Sequence, residues 1–381
     1  MKPEIEVLVV GAGPTGLVLA LWLSHLGVKV RIVDKAAEPG TTSRALAVHA
    51  RILEFYDQID LAREIVDLGP KMGAATLWVA GKKKGRIVFG DMGQGISPFP
   101  YALIFPQDEH ERLLIDRLRE MGVAVERSTE LVGFEDQGAR VAARLQRPDG
   151  SEQAVEAAFI AGCDGTHSIV REALKVGFPG GTYSHIFYVA DVEASGRAMN
   201  GELNVGLDEA EFLAIFPLKD AGRARFIGTV KREAEARHDL TFDDVSPRLI
   251  NRLDIKVERV NWFSTYHVHH RVAGHFREGR AFLLGDAAHI HSPVGGQGMN
   301  TGIGDAVNLA WKLAAVLQGR ADPSLLDSYE PERIAFARRL VATTDRAFQF
   351  INNDGPIARL CASGWYRCCC RRSSAFGRRG G

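Results

Sequence analysis

The chain opens on a short apolar run, Ile5–Val10, which is rich in β-branched residues and stopped by a glycine. That pattern predicts a buried strand. Residues 15–26 follow as an apolar helix closed by Gly27, and residues 28–33 as a second strand ending at Asp34. Two strands around one helix predict a parallel pair joined by a right-handed crossover. Residues 40–66 read as helical, with Leu46, His49, Leu53 and Tyr56 near one stripe. Short strands with glycine turns are expected at 76–79, 86–89 and 101–105, then a helix at 108–121 and strands at 123–127, 131–136, 141–146 and 154–161. From 175 to 270 the pattern changes. Segments 187–193, 202–207, 212–217, 225–231 and 257–269 are strand-like and separated by turn residues, as in an antiparallel sheet. A helical period returns at 299–318 and again at 324–350, where Pro331 marks a helix start or a break.

Composition excludes more than it adds. A length of 381 residues suits about two domains. Hydrophobic residues at 46% with charged residues at 25% are the balance of a folded globular chain, not a disordered or fibrous one. Lys+Arg and Asp+Glu both number 47, so no bulk basic charge points to nucleic acid. Cys163 is the one cysteine in the body, while Cys361, Cys368, Cys369 and Cys370 crowd the end. One body cysteine builds no disulfide framework, so a reducing cytoplasm is expected. No signal-peptide pattern and no apolar run near the roughly 18–20 residues that span a bilayer are visible, so no membrane is expected as a partner.

Three stretches carry chemistry. The first is Gly11-Ala12-Gly13-Pro14-Thr15-Gly16, a GxGxxG between predicted strand and helix. Its glycines permit a tight turn and close backbone approach to a pyrophosphate, which the helix N-terminus attracts; Asp34, ending the next strand, is placed to accept from a ribose hydroxyl. The second is Ala161-Gly162-Cys163-Asp164-Gly165-Thr166-His167-Ser168, after another strand. The third runs from Phe282-Leu283-Leu284-Gly285-Asp286 to Ser292-Pro293-Val294-Gly295-Gly296-Gln297-Gly298-Met299-Asn300. There an acid stands at a strand's carboxyl end, a glycine loop lets backbone approach a flat ring, and a helix begins at Met299 with its positive end forward.

In this order, the motifs resemble those of the class A flavoprotein monooxygenases, the single-component FAD-dependent aromatic hydroxylases. The phenol hydroxylase and aromatic polyketide hydroxylase branch is the most similar, and the resemblance runs from about residue 4 to about residue 350. It implies an α/β fold: a Rossmann-type, glutathione-reductase-like FAD-binding domain (1–70, 102–175 and 272–350) interleaved with an antiparallel-sheet substrate domain (71–101 and 176–271). It further implies that Gly11, Ala12, Gly13, Pro14, Thr15, Gly16, Asp34 and Lys35 serve the ADP half of FAD; many relatives carry Glu where Asp34 stands. Arg44 matches an FAD-contacting arginine, Gln107 a glutamine near the ribityl chain, Gly285-Asp286 the ribityl-binding turn, and Asp164 a motif linked to both FAD and NAD(P)H. Gly296, Gly298, Met299 and Asn300 match backbone around the flavin, with Pro293 beside C4a in a steric role. The implied reaction has NADPH or NADH, as a transient co-substrate, reduce FAD; dioxygen then forms a C4a-hydroperoxide that hydroxylates a small aromatic substrate.

Two alternatives stay open within flavin chemistry and beyond it: a reductase or epoxidase on the same scaffold, and a truncated, non-catalytic flavin-binding protein. Phe212, Phe216 and Tyr266, with Trp262 nearby, are candidates to line an aromatic pocket, although aromatics in strands are commonly core. His267, His269 and His270 lack a third ligand at zinc-like spacing, so no metal is expected. His289 and His291 are expected to pack or cap, and Lys82-Lys83-Lys84 to form a solvated hairpin tip. Residues 351–381 have no helical or strand period. A disordered tail is expected there, and its Cys368-Cys369-Cys370-Arg371-Arg372 run reads as a truncated or frame-shifted C-terminus. Substrate identity and oligomeric state are not legible.

Overall fold

The computed structural model describes residues 4–40, 45–208, 211–230, 237, 239–245, 247–293 and 295–352. Arg44 and the 353–381 tail lie outside the described residues. The chain divides into two units, one built from Met1–Gly69, Phe105–Thr182 and His269–Thr344, the other around Pro70–Ile104 and Tyr183–Val268.

The first unit is organised by a parallel sheet. Ile5–Val10 pairs in parallel with Val30–Val33 on one side and with Glu152–Gly162 on the other. Glu152–Gly162 in turn pairs in parallel with Ala281–Leu283. Register matters here, because Val10 lies beside Gly162 and Gly162 beside Leu283. Three strands distant in sequence therefore end level with one another, and the three motifs follow directly from those ends. An antiparallel extension, Glu130–Asp136 and Val141–Gln146, pairs with the first half of Glu152–Gly162.

The Pro14–His25 helix has no polar face, and every residue from Gly16 to Leu23 is buried. It packs against the Gly298–Leu317 and Gln107–Glu120 helices as well as the sheet. Burying each of its large apolar side chains stabilises by about 1.5–3 kcal/mol before entropy is charged. The Gln107–Glu120 helix carries Asp108 and Glu109 in its first turn and Arg117 and Arg119 in its last, the arrangement that complements the helix dipole. Pro331 falls in the first turn of the Tyr329–Asn352 helix, where its missing N–H costs no hydrogen bond.

The expected helix over 40–66 is corrected. Ala47–Val48 is extended, and the helices are Ala50–Asp57 and Ala62–Leu68. Leu46 and Ala47 are held by other chain segments: the Leu46 carbonyl accepts from Phe105 N–H at 2.7 Å and the Ala47 carbonyl from the Asn300 side chain at 2.8 Å. Such long-range pairing overrides local helical period.

In the second unit the sheet runs in the order Ile255–Val272, Gly180–Gly196, Arg223–Thr229, Glu211–Pro217, Leu203–Asp208, Ala74–Val79, Lys82–Val88. Arg223–Thr229 pairs antiparallel with Gly180–Gly196 and with Glu211–Pro217, and Glu211–Pro217 with Leu203–Asp208, as expected, but Leu203–Asp208 runs parallel to Ala74–Val79. Those strands come from separate chain segments, so no hairpin dictates their direction. One sheet face is the core, where Tyr188, Ala190, Val192, Leu213, Ile215 and Phe226 pack with Trp78 and the Pro247–Arg252 helix residues Leu249 and Ile250. Residues 82–84 begin a strand immediately after the Ala80-Gly81 turn and are exposed.

Candidate functional site

Gly11 has φ +100°, and a Cβ there would lie 2.4 Å from the Cys163 carbonyl oxygen. A Cβ on Gly16 would lie 1.9 Å from the Gly11 carbonyl oxygen. Both glycines are thus demanded by the packing of turn, helix and the neighbouring strand end. Gly13 differs: nothing lies within 4 Å of where its Cβ would be, so this face of the turn is open. The Pro14–His25 helix starts at Gly13 with no side-chain cap, and its first bond is Leu17 N–H to Gly13 O at 3.0 Å. The amides of Thr15 and Gly16 therefore lack intrahelical acceptors, the condition under which a helix end attracts an anion.

Asp34 is tied to the turn. Its carboxylate accepts from Ala12 N–H at 2.6 Å and Ala36 N–H at 2.8 Å. One bond per oxygen leaves each with further acceptor capacity for a sugar hydroxyl. Lys35, beside it, is exposed. Arg127, which sequence reading passed over, stands 3.7 Å from Asp34, and its Nη2 is buried with no hydrogen-bond partner. An unpaired buried guanidinium nitrogen is costly, and an anionic or hydroxyl-rich ligand at Asp34 would satisfy it. Gln107 opens its helix and donates to Glu111 at 2.8 Å; burial raises the Glu111 carboxyl pKa, an effect Gln107 partly offsets.

The third motif packs directly against the first. Gly285 has φ +57°, and its Cβ would meet Thr15 Oγ1 at 2.6 Å; a Cβ on Gly302 would meet the same oxygen at 2.3 Å. Thr15 is thus a packing residue wedged between two glycines, which fastens the first motif to the third. Asp286, in the short turn Gly285–Ala287, is exposed. The loop beyond it contains two left-handed glycines, Gly295 (φ +81°) and Gly296 (φ +60°), and Gly296 N–H closes a turn onto the Pro293 carbonyl at 3.0 Å. Behind the loop, Asn300 donates to the Gly296 and Ala47 carbonyls, both at 2.8 Å, and accepts from His49 N–H at 2.9 Å. The His49 ring hydrogen-bonds the Gly295 backbone, and burial lowers its pKa more than that bond raises it. The Asn300 side chain is therefore a brace. Helix Gly298–Leu317 makes its first bond at Thr301 N–H, to Gln297 O at 2.8 Å, so the amides of Gly298, Met299 and Asn300 are left without intrahelical acceptors. Three aligned donors at a positive helix end can hold a polarised, electron-rich ring edge.

Asp164 turns inward. It accepts from Ser168 Oγ at 2.6 Å and Val170 N–H at 3.2 Å, and burial raises its pKa against those bonds. Ser168 caps the Ile169–Ala173 helix, and Arg171 spans to the Ala287 carbonyl at 2.9 Å and the Thr166 carbonyl at 2.7 Å. The second motif is in this way stitched to the third. His289 is buried, bonded to Asp305 at 2.7 Å and stacked on Phe276, so it is packed into the interior as expected. Among the described residues no three His, Cys, Asp or Glu side chains cluster as a metal site, and no helix is long and apolar enough to cross a membrane.

Within the second unit, Phe212 and Phe216 alternate with the core residues Leu213 and Ile215, so they project from the other sheet face. Phe187 joins Phe212 (6.5 Å between ring centroids) to Tyr266 (5.9 Å). On this face Arg225 is bound bidentately by Asp191 (2.6 and 2.8 Å) and lies over Trp262.

Comparison with known proteins agrees with this geometry. The FAD binding domain family matches residues 4–344. The chain is 37% identical to 6-methylpretetramide 4-monooxygenase of Streptomyces rimosus over 371 residues, which is 94% of this chain and 65% of that relative; the chain thus spans a little under two thirds of its length. The solved structure of p-nitrophenol 4-monooxygenase from Pseudomonas putida DLL-E4 shares the fold, with a TM-score of 0.85 at 24% identity, covering 96% of this chain and 94% of that one. A ternary complex of aklavinone-11 hydroxylase with FAD and aklavinone superposes with a TM-score of 0.79 at 28% identity, covering 94% and 71%. The turn open at Gly13, the unpaired Arg127 nitrogen and the bare amides at Gly298–Leu317 all suit the dinucleotide, and the chain belongs to the FAD-binding family of class A flavoprotein monooxygenases, with FAD as its cofactor.

Proposed function

We propose that this chain is an FAD-dependent monooxygenase that hydroxylates a phenolic or polyketide-like aromatic compound, using NADPH or NADH and dioxygen. The observation that carries the reading is the level ending of three parallel strands, which gathers the GxGxxG turn, the Asp164 loop and the Gly285-Asp286 turn in one unit. Bound FAD supplies the electron acceptance from NAD(P)H and the activation of oxygen.

The protein's part is binding and orientation. The Gly11–Gly16 turn and the Thr15 and Gly16 amides take the pyrophosphate; Asp34 and Arg127 take the adenosine end. Asp286 accepts from ribityl hydroxyls, and Gln107 offers a second polar group to the ribityl chain. The amides of Gly298, Met299 and Asn300 hold the pyrimidine edge, where charge grows on reduction. Pro293 acts through shape and its carbonyl. Phe212, Phe216 and Tyr266 offer a flat apolar surface to the aromatic substrate. The names 6-methylpretetramide 4-monooxygenase and aklavinone-11 hydroxylase support a polycyclic aromatic substrate of the polyketide kind. A cytoplasmic setting, where NAD(P)H is at hand and the buried Cys163 thiol stays reduced, fits the reading.

A panel of phenols and polycyclic phenolics tests it by stimulated NAD(P)H consumption under isotopically heavy oxygen gas. Label in a hydroxylated product is expected. Reduced, unlabelled product would instead establish a reductase, and flavin binding with no stimulation by any compound a non-catalytic protein.

A further inference from the structure

A fully buried carboxylate, Asp305, sits on the Gly298–Leu317 helix behind the third motif. Its Oδ2 accepts from the Gly285 N–H at 3.0 Å and faces His289 Nε2 at 2.7 Å, while its Oδ1 accepts from Arg333 Nε at 2.5 Å. Those partners belong to different segments. Gly285 opens the turn Gly285–Ala287 after the Ala281–Leu283 strand of the parallel sheet, His289 begins the short strand His289–Ile290, and Arg333 comes from the Tyr329–Asn352 helix. Arg333 also reaches the Thr301 carbonyl, at 3.4 Å, in the first turn of the helix that bears Asp305.

We propose that Asp305 is a positioning residue for the cofactor: through the Gly285 amide it holds the left-handed turn that aims Asp286, and through Arg333 it fixes that turn relative to the open amides of Gly298–Leu317. Gly285 has φ +57°, a conformation that needs support from its surroundings, and the Asp305 bond supplies it from the buried side. The same residue lies two helical turns below Gly298, so the ribityl-binding acid and the ring-binding amides share one anchor. Burial alone would favour the neutral acid, but Arg333 and then His289 outweigh it, so the carboxyl pKa is lowered and the anchor stays charged.

The proposal rests on FAD being seated at the Gly285-Asp286 turn, and the test separates the two. Asp305→Asn alone strands the Arg333 charge and risks misfolding. Two double variants avoid this. Asp305→Asn with Arg333→Gln removes both charges yet keeps an acceptor for Gly285, whereas Asp305→Ala with Arg333→Met removes the acceptor as well. Dissociation constants for FAD and the visible circular dichroism of the bound flavin are measured for both, beside the native chain and Asp286→Ala. The Ala/Met variant is expected to bind FAD about 10- to 100-fold more weakly with altered dichroism, the size of effect seen when a group that orients a ligand is removed. The Asn/Gln variant should stay within about threefold of native with a native signal, because the Gly285 bond survives. Native affinity and dichroism in the Ala/Met variant, whatever its melting temperature, would overturn the proposal. If Asp286→Ala weakens binding in that case, the seat stands and only the role of Asp305 falls; if it does not, both fall.

Discussion

Gly13 and Gly16 belong to one motif yet face opposite constraints, and alanine at each separates binding from folding. At Gly16 a Cβ would sit 1.9 Å from the Gly11 carbonyl oxygen, against an ordinary contact of at least 3.4 Å, and the obstructing atom is backbone. The helix would have to move away from the turn by more than an ångström, and overpacking of this kind costs typically about 1–3 kcal/mol or more. At Gly13 a Cβ meets nothing within 4 Å, and φ is −77°, open to any residue. Gly13→Ala should therefore leave the stability of the FAD-free protein within about 1 kcal/mol, the range set by capping preference and unfolded-chain entropy. The added methyl instead fills the face on which a pyrophosphate must approach the backbone, so FAD affinity should drop about tenfold or more, about 1.4 kcal/mol. Urea titration of the apo protein and fluorescence titration with FAD give the two quantities. An apo protein destabilised by Gly13→Ala as much as by Gly16→Ala, or native FAD affinity in Gly13→Ala, would refute this separation of binding from folding.

Other outcomes follow from single contacts. His110 is wholly buried, shares a 2.8 Å hydrogen bond with Tyr56, and has its pKa lowered by burial to about 3. The folded state thus refuses a proton that the unfolded chain accepts near 6.5, so stability is full above that value and falls with pH between about 6.5 and about 3, by about 1.4 kcal/mol per unit. Denaturation midpoints from pH 7 to 4 should show this slope, and His110→Gln should flatten it by one proton. Asn300→Ala removes three hydrogen bonds from a mostly buried site and should cost about 1–3 kcal/mol while weakening FAD binding; an unchanged affinity would show that the glycine loop holds its shape unaided. Arg127→Met should weaken FAD binding without lowering apo stability, since one of its nitrogens is unpaired before the cofactor arrives. Phe212→Ala should raise KM for an aromatic substrate and leave FAD affinity alone, which parallel substrate and flavin titrations would check.

What the sequence shows plainly is what backbone chemistry forces. Gly11 and Gly16 are glycine because any Cβ collides, and that demand is written in the residue names. That the motifs follow strands was legible in runs such as Ile5–Val10 and the one before Cys163, whereas their meeting in one site was implied only by the family resemblance. Other parts carry no local signal. Asp305, His289 and Arg333 are spread over 45 positions of helix and strand, each looking ordinary alone, and only sheet order brings them to one point. Arg127 follows a two-residue strand and reads as a surface cation until it lies beside Asp34. The Gly180–Gly196 and Ile255–Val272 strands run past their apolar centres because sheet neighbours, not residue type, sustain the ends.

In the proposed reading, three loops of one unit hold FAD against the open amides of a helix. The most direct measurement is the flavin content and visible spectrum of the purified, FAD-reconstituted chain, compared with the same chain carrying Asp286→Ala and Gly13→Ala together. One FAD per native chain with a perturbed, protein-bound spectrum, and loss of that flavin from the double variant on gel filtration, is the expected result. A native chain that retains no flavin, or a double variant that retains it fully, would contradict the account.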